Sequence, residues 1–94
     1  MSYKLRFHEL ALKEWRKLAA PLRESFKKKL EERLECPRVP SAALSGMPDC
    51  YKIKLRAAAY RLVYRVEDGY LFVTVVSVGK RERLSVYELA RKRI

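Results

Sequence analysis

The sequence predicts an α+β fold in the order β-α-α-β-β-β-α: a helical hairpin packed on a mostly antiparallel four-stranded sheet. Three observations carry this expectation. Apolar side chains recur at helical spacing between residues 8 and 34. Residues 50–78 contain three strand-like stretches separated by turn-forming residues. The 94 residues hold no repeat, low-complexity segment or linker, which suits one domain spanning 1–94.

The elements follow in order. "SYKLRF" (2–7) sets Tyr3, Leu5 and Phe7 against Lys4 and Arg6, the alternation of a first strand. "HELALKEWRKL" (8–18) turns helical, with Ala11, Trp15, Leu18 and Leu22 in one row and Leu12 widening it. His8, the only histidine, stands at the strand–helix junction, a place for helix entry or the surface rather than for catalysis. Pro21 suits a helix first turn. From it Leu22, Phe26, Leu30 and Leu34 form one apolar stripe with a charged back, ended by Cys36-Pro37 and Pro40. Lys27, Lys28 and Lys29 sit on that back among Glu24, Glu31 and Glu32, as a solvated face would. Residues 37–50 form a connection with three prolines and one glycine. Strands are expected near 50–56, 60–67 and 70–78, with Glu67-Asp68-Gly69 as a hairpin turn. "YLFVTVVSVG" is the most apolar and should be central. "KRERLSVYELARKRI" reads as a short last helix.

Charge narrows the partners. Lys and Arg number 22 against 11 acids, a net +11. The excess is spread over both halves and is no basic tail, which points to nucleic acid, an anionic membrane or an acidic protein. No apolar run approaches the roughly 18 residues of a membrane span. No signal-peptide pattern is present, so a cytoplasmic protein with Cys36 and Cys50 reduced is expected. Metal-ligand clusters, phosphate-cradling glycine loops and Ser/His/Asp sets are lacking, and no cofactor is implied.

The chemistry gathers on one strand pair, "YKIKLRAAAYRLVYRV" (51–66). If Arg56 pairs with Ala59 around a two-residue turn, Lys54 lies opposite Arg61 and Lys52 opposite Val63. Tyr51, Ile53 and Leu55 then share the other face with Tyr60, Leu62 and Tyr64. A one-residue slip would put Arg61 among the apolar side chains, so the apolar pattern fixes the register. Like charges facing each other destabilise a sheet. Fold stability does not explain the cluster, but a bound anion does. "SVGKRER" brings Lys80, Arg81 and Arg83 to the neighbouring strand's end, with Arg81 as a fourth cation. Tyr87, expected about two turns into the last helix, reaches over the same concavity. The plain alternative is a solvated basic face that discourages edge pairing.

At "GMPDCYKIKLR…YRLVY…SVGKRER…VY" the sequence resembles the RelE family of toxin–antitoxin proteins, a likeness that runs end to end through "ALKEWRKL" and "KKKLEERLE…PR". The set Lys52, Lys54, Arg61, Arg81 and Tyr87 points to its ribosome-dependent, mRNA-cleaving branch. The resemblance implies a RelE/ParE toxin-like, small RNase-like fold. It implies an endoribonuclease that enters the ribosomal A site, against 16S rRNA, and cuts the mRNA there. It also implies an acidic, RelB-like antitoxin held in a hetero-oligomer with the toxin. The chain departs from the family at Ser45, where a basic residue often precedes the glycine, and at Ala57-Ala58-Ala59, where a glycine is usual. If that turn needs positive φ, alanine adds strain.

Cleavage by the ribose 2′-hydroxyl needs no metal. It needs a base for the hydroxyl, stabilisation of the charged phosphorane and an acid for the leaving 5′-oxygen. Neighbouring cations favour the neutral form of a lysine. That makes Lys54 the candidate base, with Lys52 and Arg61 holding the phosphate. Arg81 would stabilise the phosphorane or leaving oxygen, and Tyr87 would stack on a splayed base. Arg56, Arg65, Lys80 and Arg83 are assigned to substrate binding. Two other functions stay open: a ParE-type toxin that binds DNA gyrase without catalysis, and a non-catalytic basic nucleic-acid-binding module.

Overall fold

The computed structural model describes residues 2–55, 59–80 and 85–94. Strand β1 (Lys4–Phe7) leads into helices α1 (Glu9–Arg16) and α2 (Ala20–Glu35). Strands β2 (Cys50–Leu55), β3 (Tyr60–Glu67) and β4 (Phe72–Lys80) follow, then helix α3 (Ser85–Arg93). The sheet order is β1-β4-β3-β2, so β4 is central, as its apolar content predicts. The β2–β3 and β3–β4 pairs are antiparallel, and β1 joins β4 in parallel.

Local chemistry sets the boundaries. His8 caps α1, its Nδ1 accepting from the Leu10 amide at 3.1 Å, which satisfies one of the helix's orphan N–H groups. Proline in the first turn of α2 has no N–H to leave unpaired. β4 begins two residues later than the alternation suggests. Tyr70 and Leu71 belong to the turn, Leu71 at φ 58° and Tyr70 largely exposed. Ala59 also holds positive φ (55°), the strained backbone expected where alanine replaces a glycine.

The sheet buries both faces. Ile53, Leu55, Leu62, Tyr64, Val66, Val73, Val75 and Val78 meet Ala11, Leu18, Phe26 and Leu30 from the helical hairpin. Trp15, Leu22 and Leu34 pack around them, half-buried. On the opposite face Met47, Cys50, Val63, Val76 and Ala90 form a second, smaller core. The register of β3 and β4 shifts between Val63 and Tyr64: Val63 pairs with Ser77 and Tyr64 with Val75, leaving Val76 as the extra residue of a bulge.

α3 is fastened where β1 runs out. β1 stops at Phe7, opposite Val75, so that flank of β4 has no strand beside Val76–Val78. Side chains continue the ladder. Arg93 Nη1 donates to the Val76 carbonyl (2.8 Å), and Glu14 Oε1 accepts from the Val78 amide (3.2 Å). Arg93 and Glu14 join in a two-pronged pair at 2.8 and 2.9 Å, with side chains only 9% and 24% exposed. Ser77 Oγ adds a bond to the Val86 carbonyl (2.7 Å).

Candidate active site on the cationic sheet face

The register places Lys54 directly opposite Arg61 and Lys52 opposite Val63, the arrangement that alternation predicts. Arg61 in turn faces Gly79 on β4. A Cβ at Gly79 would meet nothing within 4 Å among the described residues, so an open slot lies next to Arg61 in the register. Arg61 Nη1 donates to the Tyr60 carbonyl at 3.1 Å. Its Nε is buried and has no hydrogen-bond partner among the described residues. A buried donor left unpaired costs about 1–3 kcal/mol. Such a group in a folded chain calls for an explanation, and a bound anion is one.

Ion pairs among the described residues lie elsewhere. Arg38 joins Asp68 (2.6 Å) and Asp49 (3.0 Å), Arg6 approaches Glu67 (4.0 Å), and Arg93 holds Glu14. None of them involves Lys52, Arg61 or Arg65. Lys52 is half-buried and Lys54 exposed, and both stand on β2, the last strand in the sheet order.

The other assigned residues fall into three groups. Tyr87 lies over this face, half-buried against the Met47–Cys50–Val63 core. It stands in the first turn of α3, because the helix starts at Ser85 and not where β4 ends. Arg65 shares the face of Arg61 but four residues further along β3, about 13 Å away at strand spacing. Lys80 pairs with Tyr60, so alternation sends its side chain to the hairpin face, away from Arg61. Arg56, Arg81 and Arg83 lie outside the described residues.

Two groups with apparent nucleophilic or acid–base potential have structural duties. Burial pushes the Cys50 thiol up, which keeps it protonated and unreactive, and His8 is the α1 cap. Among the described residues no three His, Cys, Asp or Glu side chains converge as metal ligands, and no helix is long and apolar enough to cross a membrane.

Sequence reasoning missed one wall of the site. Lys29 and Arg33 of α2 line a cleft of about 300 Å³ with Ser41, Lys52 and Lys54 along the β2 edge. The available signal was spacing. Residues 29 and 33 are one helical turn apart and flank the buried Leu30, so they border the sheet rather than the solvated back.

The sequence and the fold are shared with known proteins. The family described as the ParE toxin of type II toxin–antitoxin system, parDE, matches residues 5–85. The mRNA interferase toxin RelE of Escherichia coli K12 is 62% identical over 94 residues, covering 100% of this chain and 99% of that protein. A free, doubly arginine-substituted E. coli RelE superposes with a TM-score of 0.93 at 60% identity, covering 100% of this chain and 99% of the other. The intact E. coli RelBE toxin–antitoxin complex holds a chain that superposes with a TM-score of 0.84 at 61% identity, covering 87% of this chain and all of that one.

Proposed function

Because the chain belongs to the RelE/ParE family of type II toxin–antitoxin toxins, we propose that it is an mRNA interferase that cuts mRNA in the ribosomal A site and thereby stops translation. The observation that carries this reading is the Lys54–Arg61 pair, with Lys52 beside it and an open slot at Gly79.

The reaction runs through the RNA's own 2′-hydroxyl. The amine of Lys54, in its unprotonated form, takes the hydroxyl proton. The 2′-oxygen attacks the adjacent phosphorus in line. Arg61 and Lys52 hold the phosphate oxygens while negative charge builds on the phosphorane. The P–O5′ bond breaks, the 5′-oxygen takes up a proton, and a cyclic phosphate and a free 5′-hydroxyl result. Arg81 stabilises the leaving oxygen, and Tyr87, held on α3 above the same face, stacks on a splayed base. None of these groups is a strongly tuned acid–base pair, so alignment by the ribosome supplies much of the rate. Between rounds of activity an acidic, RelB-like antitoxin covers the same cations in the cytoplasm.

Purified ribosomes carrying a defined mRNA test this. Mapped 3′ ends should fall in the A-site codon. Lys54→Ala should slow single-turnover cutting by about 10²–10⁴-fold, the range for losing a general base. Intact cutting by Lys54→Ala, Arg61→Ala and Arg81→Ala alike would refute the site.

The family-level match to ParE favours a second reading, a toxin that inhibits DNA gyrase without cutting RNA. Inhibited supercoiling by the purified protein, with uncut ribosomal mRNA, would establish that instead.

A further inference from the structure

The cleft behind the β2 edge is lined in part by cations that the reaction itself does not use, Lys29 and Arg33. Among the described residues four cations line it: Lys29 and Arg33 from α2, Lys52 and Lys54 from β2. No acid is among the described lining residues. Arg33 is set in place. Its Nη1 donates to the Lys52 carbonyl (3.1 Å) and the Tyr64 hydroxyl (2.9 Å), and that hydroxyl donates to the Pro37 carbonyl (2.6 Å). Its guanidinium also lies 5.7 Å from the Tyr64 ring centre. Such anchoring lowers the entropy lost when an anion binds.

Spacing fits a polyanion. Lys29 and Arg33 are four residues apart on a helix, about 6 Å along its axis. Lys52 and Lys54 are two residues apart on a strand, about 6.6 Å. The cleft is therefore walled by two rows of cations with matching separation. Lys52 and Lys54 also border the Arg61 face, so the strand edge is a ridge with the scissile site on one side and the cleft on the other.

We propose that this cleft is a second phosphate subsite, which holds the RNA backbone next to the cut phosphodiester after the strand crosses the edge of β2. The inference rests on the RNA-cutting reading above. A peptide suits the cleft less well. Amphipathic segments need apolar anchors, and among the described residues the apolar lining is Ala42 and Ile53, both buried.

The test is a salt titration of binding to a short 2′-O-methyl oligoribonucleotide, which keeps every phosphate but lacks the attacking hydroxyl. Lys29→Gln removes an exposed cation. Lys13→Gln removes an equal charge from an exposed site on α1 and serves as control. Each phosphate contact on a single strand contributes about 0.7 to the slope of log affinity against log salt. Lys29→Gln should lose about that much slope, binding several-fold more weakly at low salt and converging with wild type at high salt. Lys29→Glu should weaken low-salt binding further, and Lys13→Gln should keep the wild-type slope. If Lys29→Gln matches Lys13→Gln, the subsite does not exist. If Lys29→Gln spares the RNA slope but weakens an acidic peptide's binding, the cleft belongs to a protein partner and the proposal is overturned. Failure here is separable from failure of the nuclease reading, which would show as wild-type protein leaving ribosome-held mRNA uncut.

Discussion

Replacing Arg93 with methionine probes how the last helix is held. The change keeps an apolar stem of similar length but deletes the guanidinium. Glu14 would then retain only the Val78 amide, and the Val76 carbonyl would lose its side-chain donor. Breaking a buried pair by removing one partner costs 3–5 kcal/mol, and Glu14 keeps 24% exposure, so we expect about 3 kcal/mol. In a domain of this size each kcal/mol moves Tm by about 4–8 °C, so Arg93→Met should melt about 12–24 °C lower. Much of that loss comes from the stranded carboxylate rather than from the missing attraction. Adding Glu14→Gln, which removes the charge and keeps an acceptor for Val78, should restore about 1–2 kcal/mol. Urea unfolding followed by circular dichroism and by fluorescence of the neighbouring Trp15 measures both. A single variant within about 0.5 kcal/mol of wild type would show that the pair behaves like an exposed one. A double variant no better than the single would sink the stranded-charge argument.

Two further outcomes can be checked on the folded protein. Ala59→Gly relieves a left-handed alanine and should stabilise by roughly 1 kcal/mol, seen as a rise of about 4–8 °C in Tm. Asp68 accepts from Tyr3 and Arg38, and these bonds hold its carboxyl below the usual range. A carboxyl lowered on folding stabilises above its unfolded value, near pH 4, and the contribution disappears as pH falls through the folded value. Urea midpoints should therefore drop on acidification, and Asp68→Asn should flatten part of that drop.

The parts of the fold legible in the sequence are those where burial leaves one arrangement open. Tyr51, Ile53 and Leu55 had to face Tyr60, Leu62 and Tyr64, so the Lys54–Arg61 pairing followed without coordinates. The stripe from Leu22 to Leu34 located α2 to within a residue or two, and His8 acts as the helix entry that its junction position suggested. Other features leave weaker traces. Tyr70 and Leu71 read as strand because they are apolar, yet backbone geometry puts them in the turn. α3 anchors through small residues, Val86 and Ala90, so its periodicity is faint and its place over the cationic face is invisible in the pattern. The ladder made by Glu14 and Arg93 joins residues 79 positions apart, which no local window can link. Arg33 was hidden for a related reason: on a helix the border between the buried and solvated faces is set by what packs beside it.

The bulge at Val76 acts as a change of parity. Before it, even-numbered residues of β4 share the Arg61 face, as Thr74 does opposite Arg65; after it, odd-numbered ones do, as Ser77 and Gly79 show. A single inserted residue thus decides that a glycine, and not Lys80 or Val78, stands next to Arg61. Point substitutions along β4 leave that count intact, but deleting one residue between Val75 and Ser77 would invert the outer half of the strand, fill the open slot and turn Gly79 inward. The strand is therefore expected to tolerate changes of side chain far better than changes of length.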